Sequence, residues 1–182
     1  MGSRAILAHL DTYPGPSLYP RDPDQRRAIE QVETWADGEL QAVVRRLAWA
    51  ILRRAPRHMT SYTAGSRLPV PQIGVRLTAP VFARLGARLT RASDASVHAD
   101  VRKFNAAVAH ADQLIADGLL GNSSPTAADL EVGSSFALAG TFGDLAAFLD
   151  AHPTGELAQR LFPRFPGHAP GGVLTAAELS PR

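Results

Sequence analysis

The chain has no cysteine among its 182 residues, which excludes disulfides, thiolate metal sites and cysteine nucleophiles. It has one lysine, Lys103, so nearly all of its positive charge is arginine. Between Glu39 and Asp94 there is no acid at all, while ten arginines lie there. No apolar run approaches the roughly 20 residues needed to cross a bilayer, and the N-terminus lacks a signal-peptide pattern. A cytoplasmic protein without membrane association is expected. No segment alternates with period two, so no strand is predicted, and no internal repeat is present.

Chemical motifs are equally scarce. There is no G-x-S-x-G elbow, no phosphate-cradling glycine loop and no H-E-x-x-H. The six histidines are scattered singly. His98 and Asp100, like His110 and Asp112, are two residues apart and point to opposite sides of a helix, so neither pair can chelate one ion. No metal site and no catalytic residue is therefore assigned.

What is present is helical. One domain of this length buries about 70% of its unfolded surface. Ser3 to Leu10 reads as a short helix, followed by an extended Pro/Gly linker from Tyr13 to Pro20. Asp22, Pro23 and Gln25 form a helix start with cap and first-turn proline. From there Ile29, Val32, Ala36, Leu40, Val43, Leu47 and Ile51 recur at spacings of three and four, predicting one long helix that Pro56 stops. Residues 57–74 read as loop. A helix from about Thr78 to Arg91 is expected to face inward with Val81, Leu85 and Leu89. Ser93 or Asp94 starts another, with Val97, Val101, Phe104, Val108, Ala111 and Ile115 inward and Gly118 as its C-terminal cap. Asp144 and Thr154 are expected to cap two short helices, and residues 166–182 to form a loop tail.

The stretch Ser124-Pro125-Thr126-Ala127-Ala128-Asp129-Leu130 organises the rest. Thr126 can accept from the amide of Asp129, whose carboxylate can reach back to the amide of Thr126. That carboxylate also suits the positive end of the helix dipole.

Leu120-Gly121 followed by Thr126-Ala127-Ala128-Asp129 resembles the capping motif that opens the core helix of the C-terminal domain in glutathione S-transferases. Ser3-Arg4-Ala5-Ile6 and Leu18-Tyr19-Pro20 resemble the last helix of that family's thioredoxin-like domain and the linker after it. The resemblance spans Ser3 to about Pro170. It implies an all-α, glutathione-transferase C-terminal-like bundle of about five to seven helices. Residues 1–20 would be the remnant and linker, 21–165 the bundle and 166–182 the tail. Because the sequence starts at Met1, nearly all of the thioredoxin-like half is expected to be missing.

The resemblance implies a transferase domain that walls the pocket of a small electrophile, with glutathione as cosubstrate. Ser3 matches the serine that contacts the γ-glutamyl carboxylate, although Gly2 replaces the acid that often precedes it. No residue matches the family's thiolate-stabilising group, so conjugation is expected only with a thioredoxin-like partner. Arg45, Trp49, Arg53 and Tyr62 are the candidates for the pocket wall, and Thr126 with Asp129 are structural. Two other functions stay open: a non-catalytic assembly module, including a homodimer, and an anion or nucleic-acid binder using residues 45–91. The spread of the arginines over two helices and a loop disfavours nucleic acid.

Overall fold

A computed structural model of the chain describes residues 3–15, 17–63, 72–164 and 166–180, with the side chains of Ser3, Arg4 and Gln72 outside the description. The described residues form a helical bundle without strands; a lone bridge joins Phe142 to Ala169. Helix α1 (Ser3–Leu10) precedes the linker. Helix α2 (Pro23–Trp35) starts at Asp22, whose carboxylate accepts the amides of Asp24 and Gln25. A π-helical segment (Ala36–Leu40) carries it into α3 (Gln41–Arg54), so one apolar stripe runs through both helices. All seven stripe residues are buried.

Residues 57–74 are not simply loop. Pro56–His58 make a 3₁₀ turn, α4 (Met59–Thr63) follows, and α5 (Gln72–Thr90) begins well before the expected Thr78. Residues 64–71 lie outside the description. Pro80 lies inside α5 rather than at its start.

The inward face of α5 is also not the expected one. Val81, Leu85 and Leu89 are 65%, 50% and 76% exposed, whereas Ala79, Ala83 and Ala87 are buried. The reason is steric. Helix α5 packs on α3 so closely that a Cβ at Gly86 would lie 2.4 Å from the Trp49 ring. Only the small-residue face of α5 can approach that indole; the face with the large side chains cannot.

Helix α6 (Asp94–Ala116) starts with a capping box between Ser93 and Ser96. Val97, Val101, Phe104, Val108 and Ala111 are buried as their spacing predicts, with Leu114 in place of the half-buried Ile115. Gly118 follows the helix with a φ of 72°, the left-handed conformation of a C-terminal cap. Contacts of Arg54 with Asp94, of Arg46 with Asp100 and of Trp35 with His110 run in opposite chain directions, so α6 is antiparallel to α2–α3.

Helix α7 (Ala127–Gly140) occupies the centre and packs against α1, α2, α3, the π segment, α8 and α9. It has no polar side: even Asp129, Glu131 and Ser135 are buried. Only the edge formed by Leu130, Ser134 and Leu138, and Gly140 at the end, reaches solvent, and a helix buried over most of its circumference is expected to read this way. Its Phe136 ring meets Phe104 of α6 at a centroid distance of 6.0 Å.

Two capping expectations are corrected. Helix α8 (Gly143–Leu149) begins at Phe142, leaving Asp144 inside the first turn, where its carboxylate accepts the amides of Gly172, Val173 and Leu174. Helix α9 (Pro153–Leu161) begins at His152, so Thr154 is not its cap. The capping acceptor comes from another helix: Asp112 of α6 accepts the amide of Thr154 at 2.9 Å and its hydroxyl at 2.6 Å. The tail carries one helical turn, α10 (Ala176–Leu179), with its own Thr175–Glu178 capping box.

The α3–α5 contact yields a prediction. Gly86→Ala gains roughly 1 kcal/mol of helix propensity, but the methyl overlaps the Trp49 ring, a cost of about 1–3 kcal/mol in packed cores. A lowered urea midpoint is expected. A raised midpoint would show that α5 does not lie this close to Trp49.

Candidate functional site

The capping box forms as its residues predict and reaches further than a box requires. Asp129, 1% exposed, accepts the amide of Thr126 at 2.8 Å and the Thr126 hydroxyl at 2.9 Å. Thr126 Oγ1 in turn accepts the amide of Asp129 at 3.3 Å. The other carboxylate oxygen accepts the amide of Gly121 at 2.7 Å, where φ is 84°. One buried side chain thus fixes the α7 entrance and the turn after α6. The amide of Ala127 donates to Leu18 O at 2.9 Å, which adds the linker to the same point.

The four residues proposed for a pocket wall are not gathered in one cavity. Arg45, Trp49 and Arg53 share a ridge of α3 at four-residue spacing, but each has a different neighbour. Arg45 is exposed and donates to the Gln41 side chain, which donates to Glu131 at 2.8 Å. Trp49 is half-buried under α5 at Gly86. Arg53 Nη2 lies 2.7 Å from Asp94. Tyr62, on α4, stacks on Phe142 at 5.8 Å and shares a hydrogen bond of 2.8 Å with Thr141 Oγ1. Burial pushes its phenol pKa up, so it stays protonated at neutral pH. The Ser3 side chain lies outside the described residues.

A groove that the sequence reading did not anticipate lies between the π segment and α6, with a volume of about 570 Å³. Its floor includes Leu40, Val43 and Ala107. At one end the Trp35 and His110 rings meet edge to face at 4.6 Å. Arg46 and Lys103 bring positive charge to its rim, and Glu39 a negative one. The π segment shapes this wall, and such widened turns recur at functional sites. Its sequence signal was Gly38 in the middle of a long periodic helix, a weak point where the ladder can widen. None of Arg45, Trp49, Arg53 and Tyr62 lines the groove.

Several arginines are held in ion pairs. Arg46 reaches Asp100, itself 4% exposed, at 2.8 Å. Arg54 holds Glu178 of α10 through two contacts at 2.7 and 3.0 Å and also touches Asp94 at 2.7 Å. The Arg53 and Arg54 guanidiniums beside it lower the Asp94 pKa. The Arg54 hydrogen bonds hold Glu178 down at about 2, against an ordinary value of 4.5.

A carboxylate depressed in the fold stabilises it fully above its unfolded pKa and loses that contribution as pH falls through the folded one. The Arg54–Glu178 clamp therefore contributes fully above about pH 4.5 and fades between about pH 4.5 and 2. Glu178→Gln is expected to cost roughly 1–2 kcal/mol at neutral pH and to flatten stability across that window. Thermal melts of both proteins from pH 2 to 7 check this; parallel curves would contradict it.

No protein-family model, curated protein or solved structure matches this chain.

Proposed function

We propose that the chain is the helical half of a two-part fold of the glutathione transferase kind. In this reading it walls a pocket for a small electrophile and takes part in conjugation only together with a thioredoxin-like part. The observation that carries the reading is the character of α1. Leu7 packs on the core, and Asp11 just beyond the helix accepts the Leu18 amide at 2.6 Å and the Ser17 hydroxyl at 2.9 Å. Yet Ile6, Leu10 and Tyr13 are 51%, 51% and 61% exposed. A helix anchored on one side and apolar on the other fits a second layer that covers it, and favours equally a non-catalytic assembly module that docks through the same face. The box at Thr126 and Asp129, and the linker held against it, support the same reading.

The chemistry also requires a second part. Conjugation needs the glutathione sulfur as thiolate, because the thiol is a weak nucleophile near neutral pH. The thiolate attacks the electrophilic carbon, a carbon–sulfur bond forms, and the leaving group departs with its electron pair. Nothing in this chain is matched to the group that stabilises the thiolate. The helical half would contribute apolar walls that orient the electrophile and exclude water. The alternative of an anion or nucleic-acid binder is weakened by the ion pairs that engage Arg46, Arg53 and Arg54.

The test measures conjugation of glutathione to a chromogenic aryl halide, with the chain alone and with a separately produced thioredoxin-like transferase domain. The chain alone is expected to give only the uncatalysed rate. The pair is expected to form a complex and raise the rate, and Ile6→Glu to abolish the complex without unfolding the bundle. Enzymatic turnover by the chain alone, or no complex with such a domain, would overturn the reading.

A further inference from the structure

The arginines between Glu39 and Asp94 divide into those with a counter-ion and those without. Arg46, Arg53 and Arg54 are engaged by Asp100, Asp94 and Glu178. Arg57 and Arg76 have no ion pair and no side-chain hydrogen bond among the described residues. Single cations of this kind are ordinary in solvent, but these two are brought together.

Arg57 lies in the 3₁₀ turn before α4, and Arg76 in the second turn of α5. Packing of α5 on that turn and on α4 brings both to one cavity of about 460 Å³. Its lining among the described residues is Arg57, His58, Thr60, Ile73 and Arg76. The tail adds a further basic group. His168 is fixed by Ser61 Oγ, which accepts its amide at 2.9 Å and donates to its carbonyl at 2.7 Å, and its charge acts on His58. The charges acting on His58 are thus Arg57 and His168, both basic, and no carboxylate lines the cavity among the described residues.

Basic groups gathered without an acid repel one another, and an anion relieves that repulsion. Guanidiniums offer the paired donors that tetrahedral oxyanions accept. The shape selects a small ligand. A nucleic-acid backbone needs cations set out along a track, whereas these meet at one concave point. Ile73, 71% exposed, gives the cavity an apolar side for the carbon part of such a ligand.

We propose that the cavity between the Pro56–His58 turn and α5 binds a small molecule through a phosphate or sulfate dianion, held by Arg57 and Arg76 with His58 beside them. The glutathione reading is not needed for this site, whose residues take no part in it.

His58 gives the site a pH signature. Burial first, then Arg57 and His168, hold its pKa below the ordinary 6.5, so it is neutral at pH 7. A dianion at the arginines favours the imidazolium, so binding takes up a proton and raises that pKa. Sulfate keeps its double charge across this range, so its affinity is expected to rise as pH falls through the His58 pKa.

The test titrates the full chain with sulfate at physiological salt, following the His58 ring by NMR and binding by calorimetry between about pH 5 and 8. Saturable binding with a raised His58 pKa is expected. Arg57→Gln and Arg76→Gln should each weaken it by about tenfold, and helix content should not change because both residues are exposed. His58→Gln should keep binding at the high-pH end and lose its pH dependence. Arg84→Gln, exposed on α5 outside the cavity, should leave binding unchanged. Phenyl phosphate is expected to bind more tightly than inorganic phosphate. Absence of saturation, an unmoved His58 pKa, or an equal loss in Arg84→Gln would overturn the proposal. So would binding confined to duplex DNA or to vesicles of anionic phospholipid.

Discussion

The bundle depends on one buried carboxylate. Asp129 holds the amide and hydroxyl of Thr126 and the amide of Gly121, all within 2.9 Å, at the entrance of a helix enclosed by its neighbours. A buried charge without such partners would be costly. With three donors and the positive end of the α7 dipole, its burial is compensated and the geometry is fixed. That fixes where α7 starts, how the chain leaves α6 and, through Ala127 and Leu18, where the linker lies. Helix α7 has no polar stripe to set its rotation, so its register rests on this end.

Much of the bundle was legible because amphipathic helices advertise their inner side. The stripe from Ile29 to Ile51 and the set from Val97 to Ala111 are buried as their spacing requires. The spacing in helix α5 points to the wrong side because its inner face is made of alanines and Gly86, residues with little hydrophobic signal. Closeness of approach to Trp49, not apolar bulk, decides which side turns inward. The cap of α9 was illegible for another reason: its acceptor, Asp112, comes from 42 residues away. Local spacing cannot show an acceptor that tertiary packing brings in.

The candidate site was less legible than the fold. Arg45, Trp49, Arg53 and Tyr62 lie on or near one helix and share a pocket-like chemistry, but packing gives them separate tasks. Trp49 supports α5, Arg53 holds Asp94, and Tyr62 stacks on Phe142 near the tail. The groove beside Trp35, Lys103 and His110 lies where the long helix widens into the π segment around Gly38. A stripe at spacings of three and four reads the same with or without that widening. Likewise the arginine-rich stretch looked like a basic surface, yet Arg46, Arg53 and Arg54 lock α3 to α6 and to the tail.

Native-state hydrogen exchange at the amides of Gly121, Thr126 and Asp129 tests the central role of this carboxylate most directly. If it fixes the bundle, all three amides exchange only through global unfolding, with the same free energy as the centre of α7. Exchange of Gly121 and Thr126 through a local opening, several kcal/mol below that value, would show that the α7 entrance frays while the bundle stands, and would contradict the account.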